Sequence, residues 1–293
     1  MGSWFAVVLH GPSRAELETA ADAAFAEVHR LDRLLSNYRP ASEWSRVNRD
    51  AGSTPVRVSA ELFDLLSACL EYSRQSEGAF DITVAPLVKA WGFYQGEGSI
   101  PLAPAVTAAL DRVGSRHVRL DPGDRTVRFL RPGVELDPGG VGKGYAVDRM
   151  VAVLKGHGIR TALVSAAGST IYGLGAPPDD PQGWRVSISV PGDVSRSVAK
   201  VHLEDRSVST SGIAEKSFRA GGRTFSHIID PRTGYPARGA SSVSVVAARA
   251  IDSEAWTKAC FVNGRTWTAA HKRPDQQVLF CDEAPDVACS WIQ

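Results

Sequence analysis

The chain has 293 residues, of which 43% are hydrophobic and 22% charged, and its formal net charge is +1. That length holds one large core or two coupled ones, and the balanced charge without a Lys/Arg cluster argues against nucleic acid as the main partner, because phosphate backbones are met by concentrated basic charge. No stretch approaches the ~20 apolar residues of a membrane-spanning helix.

The amino terminus, MGSWFAVVLHGPS, lacks a charged region followed by a long apolar core and a small-residue cleavage site. As written it is no signal peptide, so a cytoplasmic setting is the default expectation and a removed export signal the alternative. Phe5 to Leu9 is an apolar run fit for a strand. Ser13 and Glu16 then stand in capping-box spacing, and Leu17, Ala21, Ala24, Phe25, Val28, Leu31 and Leu35 share one face, which predicts a core helix of about six turns. SNYRPASEWSRVN reads as a loop carrying Tyr38 and Trp44, on the strength of Pro40 and its Ser/Asn content. Ser59 caps a helix through Leu62, Leu66, Cys69 and Leu70. SEGAFDITVAPLVKAWGF, apolar but interrupted by Gly78, Pro86 and Gly92, reads as irregular and places Trp91 and Phe93 outside regular elements.

From 96 to 133 the Pro and Gly punctuation marks a lobe boundary or an inserted segment, with a short helix near 106–113 and strands at HVRL and TVRFL. Beyond a central helix, short β-branched runs at 161–165, 170–172, 184–190, 207–210, 224–229 and 241–246 predict antiparallel sheet. A helix over 253–262 and a strand over 277–280 close the chain. Strand runs with helices gathered at the start and near the end predict an α+β fold, read as one globular unit with two lobes. Cys69, Cys260, Cys281 and Cys289 show neither C-x-x-C spacing nor a dense framework and are expected to be reduced, mostly packed thiols.

The most distinctive stretch is ELDPGGVGKGYAVDRMVAVL, Glu135 to Leu154, a glycine-dense turn running into an amphipathic helix. Gly139, Gly140, Gly142 and Gly144 permit close backbone approach, and Lys143 sits where backbone N–H groups and the positive end of a helix dipole would meet an anion. A phosphate ligand and a tight structural connection with an exposed lysine both fit. Neither the Walker nor the G-x-G-x-x-G pattern is satisfied. In SHIIDPRTGYP, His227 and Asp230 read either as a general base with its orienting partner or as a turn whose aspartate caps its own backbone. The STSG run, Ser209 to Gly212, suits phosphate or ribose but is also ordinary loop composition. A hydrolase triad of Ser211, His227 and Asp230 lacks any G-x-S-x-G elbow. Glu254 and Lys258 are spaced as an i,i+4 ion pair on a solvated helix face. With no zinc spacing, a metal would be a hard ion held by oxygens, such as Mg²⁺.

Taken in order, SNYRPASEWSRVN, GAFDIT, WGF, LDPGGVGKGYAVD, VSTSG, HIIDPRTGYP and EAWTKACFVNG resemble the ApbE family of flavin transferases over nearly the whole chain. That resemblance implies a two-lobed fold with FAD in a cleft between the lobes, its pyrophosphate near Lys143 and Mg²⁺ bridging the phosphates. It implies transfer of FMN to a threonine hydroxyl of an acceptor flavoprotein, with release of AMP and with His227 and Lys143 in the chemistry. Tyr38, Trp44 and Trp91 become flavin-packing candidates. Asp81, Gly139, Gly140, Gly144, Asp148, Ser165, Thr210, Ser211 and Asp230 become candidates for holding FAD or shaping its turn.

Gly142 and Glu254 are the metal-site candidates. The chain departs from the family pattern at two places. Ser165-Ala-Ala167-Gly168-Ser169 stands where N-x-G-G-D is usual, and Glu254 with Lys258 stands where an aspartate and, four residues on, a threonine would ligate the metal. Register shifts would pair Ser253 or Asp252 with Thr257 instead. A lysine there would replace the metal's charge and give an FAD-binding carrier or sensor with weakened or no metal-dependent transfer. Hydrolysis of FAD to FMN and AMP, with water in place of the threonine, is the remaining alternative.

Overall fold

The computed structural model describes residues 3–94, 96–283 and 288–293. Its elements run β1 (Phe5–His10), α1 (Arg14–Leu35), α2 (Glu43–Asp50), β2 (Val56–Arg57), α3 (Ala60–Gln75), α4 (Ala85–Ala90), α5 (Ala103–Leu110), β3 (Val118–Asp121), β4 (Thr126–Phe129) and α6 (Gly142–Gly156). There follow β5 (Thr161–Ala166), β6 (Thr170–Leu174), β7 (Trp184–Val190), β8 (Asp193–Leu203), β9 (Arg206–Gly212), β10 (Ser217–Ala220), β11 (Arg223–Ser226), β12 (Ala240–Ala247), α7 (Ala250–His271), β13 (Gln277–Asp282) and β14 (Cys289–Trp291). The mixture is α+β, as the sequence pattern predicts. Internal contacts divide the chain into two compact units.

The first unit comprises Met1–Asp32, Val141–Gly212 and Gly239–Gln293. Among its described residues seven strands form one antiparallel sheet in the order β1-β5-β6-β9-β12-β13-β14. Alternation in β5 and in β7 puts every second residue inside, as the two-residue period of a strand requires. Ala20, Ala24 and Val28 of α1 pack with Val147, Met150 and Leu154 of α6 against Ala162 and Val164 of β5. A second cluster joins Trp184, Val186 and Leu203 of the β7–β8 ribbon to Val208, Val246 and Leu279 of the main sheet. Every residue of β12 is buried.

The second unit comprises Arg33–Gly140 and Ile213–Arg238, and contains residues 96–133. It holds the small sheet β2-β4-β3 and the β10–β11 hairpin. Leu87, Trp91, Phe93, Val106 and Ile229 make its aromatic-rich core.

Several expectations are corrected. SNYRPASEWSRVN is not all loop: Ser42 caps α2 by accepting from Ser45 N, and Trp44 and Val47 alone are buried on that helix, too short a stripe to show periodicity. SEGAFDITVAPLVKAWGF contains α4, which tolerates Pro86 because proline sits in the first turn, where its missing N–H would have no helical partner. The closing helix is longer than expected and is bent at Gly264, whose φ of 82° is not helical. β8, β10 and β14 carry too much polar or exposed sequence to register as strands.

The four cysteines are not all reduced. Cys281 and Cys289 form a disulfide, because the β13–β14 register sets them directly opposite one another, a pairing invisible without β14. Cys69 and Cys260 are free and buried, and burial pushes the Cys260 thiol up to about 12. Among the described residues no helix is long and apolar enough to cross a membrane.

Candidate functional site

In the first unit the N-termini of two helices meet. The N-cap residue of α6, Val141, offers no side-chain cap, so the first N–H groups of the helix need partners elsewhere. Gly144 N donates to Glu254 Oε2 of α7 at 2.6 Å. In return Asp148 of α6 accepts from Ala250 N at 2.7 Å and Ile251 N at 2.9 Å, the opening N–H groups of α7. Each helix thus lends the other a carboxylate, and the two positive dipole ends that would otherwise repel are held together. Burial pushes the Asp148 carboxyl up to about 6, against the opposing pull of the two backbone donors and Arg249. A Cβ on Gly144 would lie 2.4 Å from Ala250 O. Close helix packing is therefore what demands that glycine.

Glu254 and Lys258 form an ion pair with Nζ 3.6 Å from Oε1, the glutamate side chain 1% exposed and the lysine 21%. The solvated face expected for this pair is corrected: α7 turns these residues inward because Ser253, Glu254, Ala255, Trp256 and Thr257 are all buried.

Lys143 Nζ donates to Ser169 Oγ at 2.7 Å, and Ser169 O accepts from Thr210 N at 2.8 Å. Thr210 Oγ1 is 2.8 Å from Ser244 Oγ. Thr257 Oγ1 donates to Glu254 O at 2.7 Å, so in its 2.7 Å contact with Ser211 Oγ the serine is the donor. Of the proposed residues in this unit, Gly144, Lys143, Asp148, Thr210, Ser211 and Glu254 are therefore tied into one region of α6, β9 and α7. Gly142 opens α6 beside them, and Ser165 sits in β5 across from Ala6 and Ile171. Sequence reasoning undervalued Ser169, which anchors Lys143, named Thr257 only as a metal ligand in a shifted register, and missed Ser244. The sequence signal for Ser169 was its place at the end of the stretch that departs from N-x-G-G-D; the structure sets it just after β5, in a turn that holds Ala167 at φ 53°.

Magnesium fits this corner poorly. Mg²⁺ prefers near-octahedral oxygens at about 2.0–2.1 Å. Glu254 Oε1, a buried atom without a hydrogen-bond partner, faces the Lys258 ammonium instead. Thr257 Oγ1 donates to Glu254 O and accepts from Ser211 Oγ. Ser253 Oγ lies against Ser207 and Ser209, and Asp252 pairs with Arg249 and Arg273. In the shifted registers, too, the side-chain oxygens already have protein partners. Among the described residues no group of three or more His, Cys, Asp or Glu side chains could hold a metal.

The remaining candidates lie in the second unit. Tyr38 is 63% exposed and stacks on Tyr94 with centroids 5.3 Å apart. Trp44 and Trp91 are each 1% exposed, with Nε1 donating to Leu136 O and to Gly234 O respectively. They are core indoles with satisfied N–H groups; Trp44 lies on α2 rather than in a loop, while Trp91 follows α4 in a turn, as expected, but is buried rather than displayed. Asp81 accepts from Thr83 N, Thr83 Oγ1, Ser73 Oγ and Ser115 N, a junction of four donors. Gly139 N donates to Asp137 Oδ1 at 2.6 Å, and a Cβ on Gly140 would lie 2.9 Å from the Phe80 ring.

His227 Nδ1 lies 3.0 Å from Lys216 O. In the tautomer that donates there, the ring's lone pair is on Nε2. Asp230 accepts from Arg232 N, pairs with the Arg232 guanidinium, and closes a turn in which Gly234 N donates to Asp230 O. Of its two sequence readings, the turn-capping one describes these contacts.

Residues 1–280 match the pattern that defines the ApbE family. The chain belongs to the ApbE family. It is 34% identical over 282 residues to an FAD:protein FMN transferase of Treponema pallidum, covering 91% of this chain and 78% of that protein. It is 30% identical to an FAD:protein FMN transferase of Klebsiella pneumoniae, covering 98% and 91%. Solved ApbE structures share the fold: the Thermotoga maritima protein superposes with a TM-score of 0.87 at 26% identity over 98% and 96% of the two chains. The Vibrio cholerae flavin transferase does so with a TM-score of 0.87 at 26% identity over 99% and 93%.

Proposed function

We propose that this ApbE-family protein transfers the FMN half of FAD to a threonine hydroxyl of an acceptor flavoprotein and releases AMP. The hydroxyl oxygen attacks the FMN-side phosphorus and forms a new P–O bond. The bond from that phosphorus to the AMP phosphate oxygen breaks, its electron pair leaves with AMP, and the hydroxyl proton passes to a base. His227 is that base or orients the hydroxyl. Lys143 neutralises charge on the pyrophosphate.

One observation carries the reading: Lys143 is held by Ser169 at the start of α6, whose N-cap residue Val141 offers no side-chain cap, an arrangement of ammonium and helix N–H groups suited to a phosphate, in a chain whose relatives are named for this reaction. Gly142 and Thr210 would lie along the phosphates, and Tyr38, the exposed aromatic of the set, would meet the flavin ring. The test is incubation with FAD and an acceptor domain carrying a candidate threonine, with and without Mg²⁺, followed by mass spectrometry of the acceptor and chromatography for AMP. A mass gain of one FMN unit supports transfer. AMP with unmodified acceptor would make the protein a hydrolase, and bound FAD with neither product would make it a carrier.

A further inference from the structure

The geometry points to Lys258 as the resident cation of the transfer site, standing where a divalent metal would otherwise be required, so that FMN transfer by this chain proceeds without Mg²⁺. The inference rests on the transferase reading and deepens it.

Glu254 is fixed from both sides. Its Oε2 holds the α6 N-terminus through Gly144 N at 2.6 Å, and its Oε1 faces Lys258 Nζ at 3.6 Å. A carboxylate that is 1% exposed cannot swing out to water, so its counter-charge must come to it. The counter-charge present is covalent: an ammonium four residues along the same helix. The exposures order the pair, 1% for the glutamate and 21% for the lysine. The anionic end is sealed inside and the cationic end faces outward. An arriving divalent cation therefore meets like charge before it meets oxygen, whereas an arriving pyrophosphate meets an attractive one.

The neighbouring groups offer a metal no substitute set. Thr257 donates to Glu254 O and accepts from Ser211, and Asp252 answers Arg249 and Arg273. On the other side of the α6 N-terminus, Lys143 is matched by a neutral hydroxyl, Ser169, rather than by a carboxylate. Two ammonium groups thus stand near the meeting of the two helices: Lys258 on the carboxylate of Glu254 and Lys143 on a hydroxyl, while the Asp148 carboxylate is taken up by the two N–H groups that open α7. When the bond between the two phosphorus atoms' bridging oxygen and the FMN phosphate breaks, charge grows on the departing AMP oxygens. Lys258 answers that growing charge in the role a metal ion fills elsewhere.

The test begins with protein stripped by chelator and exchanged into metal-free buffer. Calorimetric titration with MgCl₂ alone should give no saturable binding, and FAD affinity followed by flavin fluorescence should be the same with EDTA as with Mg²⁺. AMP release and acceptor flavinylation should also proceed in EDTA. Saturable Mg²⁺ binding, or turnover seen only with Mg²⁺, would overturn the inference and leave the transferase reading intact.

Absence of AMP and of modified acceptor under every condition would instead remove the transferase reading, and the binding arm would still judge Lys258. Lys258→Met should weaken metal-free FAD binding on the order of tenfold or more, as loss of a charge-assisted contact does, while Lys258→Arg should retain it. Because Lys258→Met leaves Glu254 unpaired, the double change Glu254→Gln with Lys258→Met removes both charges and guards against misfolding. Wild-type FAD affinity in that folded double variant would refute the assignment.

Discussion

Replacing Gly144 by alanine probes the junction on which the site is built. The added Cβ would sit 2.4 Å from Ala250 O, 2.7 Å from Ala250 C and 2.8 Å from Ile251 Cα. All three are backbone atoms of the first turn of α7, so no side chain can rotate away, and relief requires the helices to part by about 1 Å to reach ordinary contact. Overpacking of that kind costs about 1–3 kcal/mol. The same displacement stretches the 2.6 Å bond from Gly144 N to Glu254, and a buried carboxylate deprived of a donor loses about 1–3 kcal/mol more. Together the destabilisation should be about 2–6 kcal/mol, read as a lowered midpoint at unchanged slope in urea unfolding. Gly156→Ala is the control, since nothing lies within 4 Å of a Cβ there and helix propensity makes it neutral or slightly stabilising. Gly144→Ala within about 0.5 kcal/mol of wild type, the range of ordinary surface changes, would refute the reciprocal-capping account.

Lys143→Ala should weaken FAD binding by about 1.5–3 kcal/mol, roughly tenfold to a hundredfold, through loss of a charge-assisted phosphate contact; unchanged affinity in equilibrium titration of the folded variant would count against the phosphate site. His227→Ala should leave FAD affinity near wild type yet slow flavinylation on the order of a hundredfold, and equal single-turnover rates would remove its role. Asp148→Asn should flatten part of the stability–pH curve. Burial raises the folded carboxyl to about 6 from the ordinary 3.8, so the folded state binds the proton more tightly, and its contribution is fully present below ~4 and lost as pH rises through ~6. A variant with the same pH slope as wild type between those values would contradict that sign.

The periodic elements were legible because their chemistry is local. α1 announced itself by Leu17, Ala24, Val28 and Leu31 on one face, and α3 by Ser59, whose hydroxyl does accept from Leu62 N. α2 and α4 were not legible, since eight or six residues with two or three buried side chains show no stripe. Trp44 and Trp91 misled for a related reason. Near proline and glycine an indole looks displayed, and only tertiary structure shows Leu136 O and Gly234 O waiting for its N–H. The disulfide depends on a pairing between β13 and the three-residue β14, which no local pattern encodes. Lys143 and its glycines were conspicuous in the sequence, but the partners that give them meaning are 26 and 110 residues away, Ser169 and Glu254.

Those long-range partners also explain why substitutions at the site are coupled. Glu254 has two tasks, capping α6 through Gly144 and neutralising Lys258, so a residue without a side-chain acceptor frees a helix N-terminus and leaves the Lys258 ammonium without its counter-charge at once. Lys258 in turn has its counter-charge in the Glu254 side chain, 3.6 Å away and 1% exposed. A cation on a covalent tether reaches the carboxylate at no translational cost and is always present, whereas a metal ion must be captured from solution. The arrangement therefore exchanges responsiveness to metal concentration for permanence. A double-mutant cycle between positions 254 and 258 should show coupling of about 0.5–3 kcal/mol in folding stability, the range for residues in one charge network. Additive effects would mean that the two side chains act independently, and the metal-like role given to Lys258 would then have no structural support.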